Sequence, residues 1–167
     1  MSDTFCDALV LFGATGDLAR KKIFPALHGM VRHGALAMPV IGVASSVMEQ
    51  EAFRQRAFDS VRQYGDPDPA ALERLGARLK YVQGDYRDPK TFEQLAAALG
   101  DAKRPLYYLA IPPDLFATVV ENLGRIGRAE GKVIVEKPFG RDLASARALN
   151  AALTRVFDED AIFRIDH

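Results

Sequence analysis

The sequence predicts a doubly wound α/β fold, with six parallel strands in one sheet and a helical layer on each face. Three observations predict it. Short apolar runs alternate with helical stretches along the whole chain. Several of those runs lack a two-residue alternation, as strands buried on both faces do. The first run ends in a glycine turn that opens a helix, Gly13-Ala14-Thr15-Gly16-Asp17-Leu18. Strand–helix alternation of this kind favours a parallel sheet, because each crossover must carry the chain back over one face.

The elements follow in order. Ala8–Phe12 is the first strand, and a helix from Leu18 to about Arg32 follows it. Pro39–Ala44 is the second strand, with a helix from about Met48 to Tyr64 behind it. Asp66-Pro67 and Asp68-Pro69 break that helix from a shorter one near Ala70–Arg78, since proline restricts the residue before it to extended geometry. Leu79–Gln83 is the third strand. Asp88-Pro89 then supplies a cap and a first-turn proline for a helix running to about Leu99. Leu106–Ile111 is the fourth strand, followed by a helix from Asp114 to Ala129. Lys132–Glu136 is the fifth. Asp142 stands at an N-cap, and Leu143, Ala146, Leu149, Leu153 and Val156 recur at helical spacing behind it, so a helix with one apolar face reaches about Phe157. Ile162–Ile165 closes the sheet as the sixth strand.

Bulk properties narrow the function classes. A chain of 167 residues is long enough for one domain with a substantial core. Lys plus Arg number 22 against 22 for Asp plus Glu, so no global charge favours nucleic acid or an anionic membrane. No apolar run approaches a membrane span, and Met-Ser-Asp-Thr does not open a secretory signal. The single cysteine, Cys6, excludes an internal disulfide and reads as an inert small residue before the first strand. These features predict a cytoplasmic protein. No metal site is assigned.

In a doubly wound sheet the strand C-terminal ends share one edge, and ligands bind there where the strand order reverses. At the first end, G-x-x-G-x-x-A over Gly13, Gly16 and Ala19 is a relative of the dinucleotide-binding fingerprint of Rossmann-like domains. Gly13 permits the tight turn, Gly16 close approach of backbone to ligand, and Ala19 close helix–strand packing. Backbone amides and the helix dipole then point at one place suited to a pyrophosphate. Thr15 adds a hydroxyl; a plain turn is the other reading of it. After the second strand, Ser45-Ser46 stands where NAD sites carry a carboxylate, and no acid precedes Glu49. This tilts the cofactor towards NADP, with NAD the alternative and with Arg20 or Arg54 available as a cation from a neighbouring helix. The serines equally suit a strand end or a helix cap. After the fourth strand, Ile111-Pro112-Pro113 is an apolar wall for a cofactor or a rigid turn. After the fifth, Lys137-Pro138 presents an ammonium on extended backbone at the same edge. After the sixth come Asp166 and His167.

Four stretches, in order and spanning nearly the whole chain, resemble the glucose-6-phosphate dehydrogenase family. They are Gly13 to Pro25, Tyr108 to Pro113, Val135 to Leu143, and Arg164-Ile165-Asp166-His167. The resemblance implies an oxidoreductase of glucose and carbohydrate metabolism, in the oxidative pentose phosphate pathway. Hydride passes from C1 of glucose 6-phosphate to NADP and leaves 6-phosphogluconolactone. It further implies that Gly13, Thr15, Gly16, Asp17 and Leu18 hold the pyrophosphate region, and that Ile111 and Pro112 lie along the cofactor. Lys22 approaches sugar and nicotinamide, Lys137 bonds both substrate and cofactor, His167 binds the substrate phosphate, and Asp166 orients a histidine base. Ser45 departs from the arginine that the family often places there against the 2′-phosphate.

The base itself is not among His28, His33 and His167, the histidines of this chain. The resemblance therefore implies that residues 1–167 are a dinucleotide-binding domain, with a substrate and dimerisation domain lying outside this chain and a homo-oligomeric parent protein. The expectation is that the isolated chain binds dinucleotide and turns over little substrate. Two rival readings stay open. One is another sugar oxidoreductase of the Glu-Lys-Pro type. The other is a non-catalytic module that senses NADP for a partner.

Overall fold

The computed structural model describes residues 6–128, 130–136 and 142–165. Six strands form one sheet: β1 (Ala8–Phe12), β2 (Val40–Ala44), β3 (Leu79–Gln83), β4 (Pro105–Leu109), β5 (Lys132–Glu136) and β6 (Ile162–Ile165). Their order is β3-β2-β1-β4-β5-β6, and each neighbouring pair is parallel. The chain leaves β1 towards β2 on one side and later returns to β4 on the other. The strand order thus reverses beside β1, which opens a crevice outside the strand ends.

Helices α1 (Phe24–Arg32), α2 (Gln50–Tyr64) and α3 (Pro69–Arg78) cover one face; α4 (Pro89–Leu99), α5 (Phe116–Arg125) and α6 (Leu143–Val156) cover the other. Alternate residues of β1 divide between the two cores. Leu9 and Leu11 join Phe24, Phe53 and Leu75; Val10 and Phe12 join Phe92, Tyr107 and Leu123. All five residues of β1 and of β2 are buried, which is why neither strand alternates in sequence. Gly42 in β2 has a packing reason: a Cβ there would stand 2.4 Å from Cζ of the Phe53 ring and 2.8 Å from the Ala14 methyl.

The predicted boundaries shift where local chemistry intervenes. Pro39 lends only its carbonyl, to the Leu9 amide at 2.9 Å, so β2 starts at Val40. β4 stops at Leu109 rather than Ile111, because Pro112 and Pro113 cannot donate to a ladder. A short 3₁₀ turn, Pro113–Leu115, replaces the predicted start of α5. That helix ends at Arg125 instead of Ala129, a residue outside the described ones. Gly127 has φ +71°, and the bonds Arg128 N–H to Leu123 O and Gly127 N–H to Gly124 O form a Schellman cap.

The caps predicted at Asp88 and Asp142 are present, and Asp68, within the predicted helix break, caps α3 in the same way. The carboxylates of Asp68, Asp88 and Asp142 accept from the amides of Ala71, Lys90 and Ser145. The Ser145 hydroxyl also accepts from the Asp142 amide, which completes a capping box. One position of the α6 stripe does not pack: Leu143, in the first turn, is exposed, whereas Leu149 and Leu153 are buried.

Candidate functional site

The ends of β1, β2, β4 and β5 gather most of the residues singled out in the sequence. Gly13 has φ +83°, and a Cβ on it would stand 1.9 Å from the Ala110 carbonyl oxygen. Its role is therefore structural: it lets the turn after β1 lie flush against the end of β4. Gly16 differs. Its φ is ordinary, and a Cβ on it would meet only the Gly13 oxygen, at 3.4 Å. Nothing in the chain requires glycine at 16, and its exposed side is open to a close-approaching ligand.

The amides of the turn also divide. Gly13 N–H donates to Val43 O at 3.0 Å and to the Tyr86 hydroxyl at 2.7 Å. Ala14 N–H reaches Val43 O, and Gly16 N–H closes the turn on Gly13 O. These three are engaged inside the protein, contrary to the expectation that the Gly13 amide faces a ligand. The first helical bond runs from Arg20 N–H to Gly16 O. Asp17, Leu18 and Ala19 thus occupy the first turn, where amides lack acceptors within the helix. Ala19 is fully buried, so its small side chain is what lets the helix start close to the sheet. The Asp17 carboxylate is exposed and paired with Arg20 at 3.2 Å.

The apolar half of the site is a hollow of about 280 Å³. It is lined by Leu18, by Leu109 to Pro113, and by Phe116 and Glu136. Leu18, Ile111 and Pro112, three predicted cofactor contacts, are brought together there. The Tyr108 hydroxyl donates to the Glu136 carboxylate, and burial together with that carboxylate holds the phenol well above its ordinary range. A larger hollow of about 680 Å³ opens at the opposite sheet edge. It is walled mainly by apolar residues, and the carboxylate of its Asp7 is engaged by the Lys103 and Arg104 amides.

At the β2 end, Ser45 is exposed beside the turn, and the Ser46 and Thr15 hydroxyls are hydrogen-bonded at 3.0 Å. The Thr15 hydroxyl thus ties the two loops together. Of the two cations considered for this end, Arg20 pairs with Asp17, while Arg54 is turned towards α3, with its Nε buried against Gly76 and its guanidinium over Phe58. Arg54 is therefore not at the site. The cation that is there is Arg56, whose Nη2 donates to Thr15 O at 2.6 Å. Sequence reasoning missed it because it lies far along α2. The one available signal was its place on the same helix as Arg54.

Lys22 is exposed, within a π-helical turn over Ala19–Ile23. Lys137, Asp166 and His167 lie outside the described residues. His28 is buried in α1 and accepts the Asp68 amide at 3.1 Å, a structural role away from the strand ends. Tyr86 is the other residue that pattern reading did not find. Its hydroxyl accepts from Gly13 and donates to Val43 O at 2.9 Å, so it buttresses the turn from below. Burial pushes it up to about 12, against the opposing pull of the Gly13 amide.

Comparison with known proteins bears on this geometry. The family model "Glucose-6-phosphate dehydrogenase, NAD binding domain" matches residues 10–167. The Mycobacterium bovis "Glucose-6-phosphate 1-dehydrogenase 1" is 49% identical over 162 residues, covering 96% of this chain and 35% of that protein. The crystal structure of glucose-6-phosphate 1-dehydrogenase from Mycobacterium avium superposes with TM-score 0.90 at 47% identity, over 96% of this chain and 35% of that one. A glucose-6-phosphate dehydrogenase in complex with its substrate glucose-6-phosphate superposes with TM-score 0.82 at 34% identity, over 96% and 36%. The chain thus spans about a third of the length of the relatives it matches. Its sequence, its strand order and its glycine turn agree: the chain belongs to the glucose-6-phosphate dehydrogenase family and corresponds to that family's NAD binding domain.

Proposed function

We propose that this chain is the cofactor-holding part of an NADP-dependent glucose-6-phosphate dehydrogenase. The observation that carries the reading is the open side of Gly16, next to first-turn amides and a hollow lined by Leu18, Ile111 and Pro112. A dinucleotide needs both halves: hydrogen-bond donors for its diphosphate and an apolar slot for its rings. The residues present fit such a group.

The amides of Asp17 and Leu18 would take the diphosphate, and the helix dipole adds to their pull. Arg20 holds the Asp17 carboxylate and limits its repulsion of an anion. Ile111 and Pro112 would lie along the cofactor, and Ser45 would face the adenosine end. When bound, the cofactor supplies a hydride acceptor. Lys137, which follows the last residue of β5 in sequence, would orient substrate against cofactor. Lys22 would approach the sugar from the first helix. His167 would hold the substrate phosphate, and Asp166 would orient the histidine that removes the C1 hydroxyl proton. That histidine would come from a substrate and dimerisation domain, in the part of the relatives' length that this chain does not span. The full-length protein would be a homo-oligomer of the cytoplasm acting in the oxidative pentose phosphate pathway.

Calorimetric titration of the chain tests the reading. Saturable 1:1 binding of NADP, tighter than NAD, is expected; binding of neither overturns it. Robust oxidation of glucose 6-phosphate by the chain alone would refute the placement of the base. Losing a general base costs about 10²–10⁴-fold, and losing substrate positioning costs more.

A further inference from the structure

An arginine on α2 answers a question that the loop after β2 leaves open. That loop, Ser45-Ser46-Val47-Met48, has neither an acid to take ribose hydroxyls nor a cation to take a ribose phosphate. Yet a guanidinium stands at its edge. Arg56 Nη2 donates to Thr15 O at 2.6 Å, and Thr15 Oγ1 lies 3.0 Å from Ser46 Oγ. The group is thereby pinned at the seam where the glycine turn meets the β2 loop. Its field reaches further along that loop: it opposes the burial-raised pKa of Tyr81, whose hydroxyl donates to Ser46 O at 2.5 Å.

Arg56 also differs from its neighbours in its charge balance. Arg54 pairs with Glu51 and Arg62 with Asp59, each three residues away on the same helix, and Arg20 pairs with Asp17. Among the described residues no carboxylate lies within ion-pair distance of Arg56; its observed partner is a neutral carbonyl. It is half-buried, so its position is fixed better than that of a surface lysine. A guanidinium carries five N–H donors in a planar fork, and one contact to Thr15 leaves donors for two oxygens of a phosphate.

We propose that Arg56 is the residue that reads the 2′-phosphate of NADP in this chain, reaching from α2 to the place that the side chain of Ser45 leaves without charge. The inference rests on the dinucleotide reading above and deepens it. It assigns cofactor choice to a helix residue anchored on the glycine turn. Selectivity arises because the phosphate meets a cation whose neighbouring acid, Asp59 in the same hollow, is paired with Arg62, whereas the loop itself offers a bare ribose hydroxyl no carboxylate.

The test titrates the full chain with NADP, NAD, 2′,5′-ADP and 5′-ADP, using wild type, Arg56→Gln and Arg56→Lys, with thermal unfolding as a check on folding. Arg56→Gln should weaken NADP and 2′,5′-ADP by about ten- to hundredfold, the range of one lost charge-assisted contact. NAD and 5′-ADP should stay within about twofold, a change too small for any lost contact. Arg56→Lys keeps the charge and should recover part of the loss. An equal loss for all four ligands would mean that Arg56 only props up the turn, and would overturn the inference, as would no loss at all. Should Arg56→Gln fail to fold, the lysine variant decides by the same ratio: a selective drop for the phosphorylated pair supports the inference, and a uniform one refutes it. If wild type binds none of the four, the dinucleotide reading itself fails. If wild type binds all four and the variants change nothing, only the role of Arg56 falls.

Discussion

The two glycines of the turn should fail in opposite ways when a methyl group is added. In Gly13→Ala, the new Cβ falls 1.9 Å from the Ala110 oxygen and 2.8 Å from its carbon. The neighbour is backbone, so it cannot rotate aside, and it must retreat by well over an ångström. Ala110 N–H donates to Phe12 O at 3.0 Å, so that retreat breaks a bond joining β1 to the end of β4. The losses are about 1–2 kcal/mol for the left-handed backbone, about 1–3 for overpacking and about 1 for the hydrogen bond. Together they reach about 3–6 kcal/mol, a large share of a stability of about 5–15. The thermal midpoint should fall by roughly 10–20 °C. Gly16→Ala meets only the Gly13 oxygen, at ordinary contact distance. Its stability should stay within about 0.5 kcal/mol of wild type. Its NADP affinity should nevertheless drop at least about tenfold, because the methyl occupies the side from which the diphosphate approaches. Thermal unfolding and calorimetry on the two variants separate the effects. A Gly16→Ala chain that binds NADP as wild type does would refute the assignment of that open side to the ligand. A Gly13→Ala chain of normal stability would refute the steric argument.

Ser45→Arg should tighten NADP binding about tenfold and leave NAD unchanged, since it adds a second cation at the β2 end; no gain in a titration would mean that residue 45 does not face the ribose phosphate. Tyr86→Phe should cost about 1 kcal/mol near pH 8, because Gly13 N–H and Val43 O keep each other as partners once the hydroxyl is gone. Its dependence on pH has a definite sign. The folded Tyr86 keeps its proton to about 12 and the unfolded one only to about 10, so its contribution is complete below 10 and is lost as pH rises towards 12. The wild-type advantage in unfolding free energy, read from urea titrations, should therefore shrink by about 1 kcal/mol between pH 8 and 11, and a constant gap would contradict the buried phenol. Asp68→Ala removes the α3 cap and should cost about 1 kcal/mol in thermal or urea unfolding without altering NADP affinity, since Asp68 bonds Ala71 and His28, neither of which lines the site.

The parts of this molecule legible in its sequence are those fixed by local rules. Uniform burial of β1 and β2 produced unbroken apolar runs, and Asp-Pro pairs marked α3 and α4. The glycine turn was legible as a turn, but the separate roles of Gly13 and Gly16 were not. That difference depends on the carbonyl of Ala110, nearly a hundred residues away in sequence. Tyr86 and Arg56 were invisible for the same reason. Each reaches the turn from a distant segment, and no spacing rule links residue 86 or 56 to residues 13–15. The sequence predicts one continuous first helix, yet it opens through a π turn in which Phe24 N–H bonds to Ala19 O. The physical cause is Pro25, which has no amide to give Lys21 and whose ring would strike that carbonyl; one added residue in the turn relieves both problems. Proline inside an apolar helical pattern announces such a break, but the sequence does not say whether it will be a kink, a stop or a bulge.

Charge around the turn shows why a formally neutral chain can still hold an anion. The chain carries 22 basic and 22 acidic side chains, so composition predicts no preference. Locally the balance is different. The acid closest in sequence to Gly16 is Asp17, and Arg20 neutralises it at 3.2 Å. Arg56 anchors on Thr15, and Lys22 stands exposed one turn further along the helix. The acids of α2 are held by cations of their own helix, Glu51 by Arg54 and Asp59 by Arg62. Those pairs are solvent-exposed and worth little to stability. Their consequence is electrostatic: they remove negative charge from the helix that borders the cofactor site and leave Arg56 unopposed. Replacing Arg62 by Gln would free Asp59 to face Arg56 three residues back, and NADP affinity should fall by a few fold with NAD unaffected. The loss should vanish in high salt, where exposed charges are screened within about 3–8 Å.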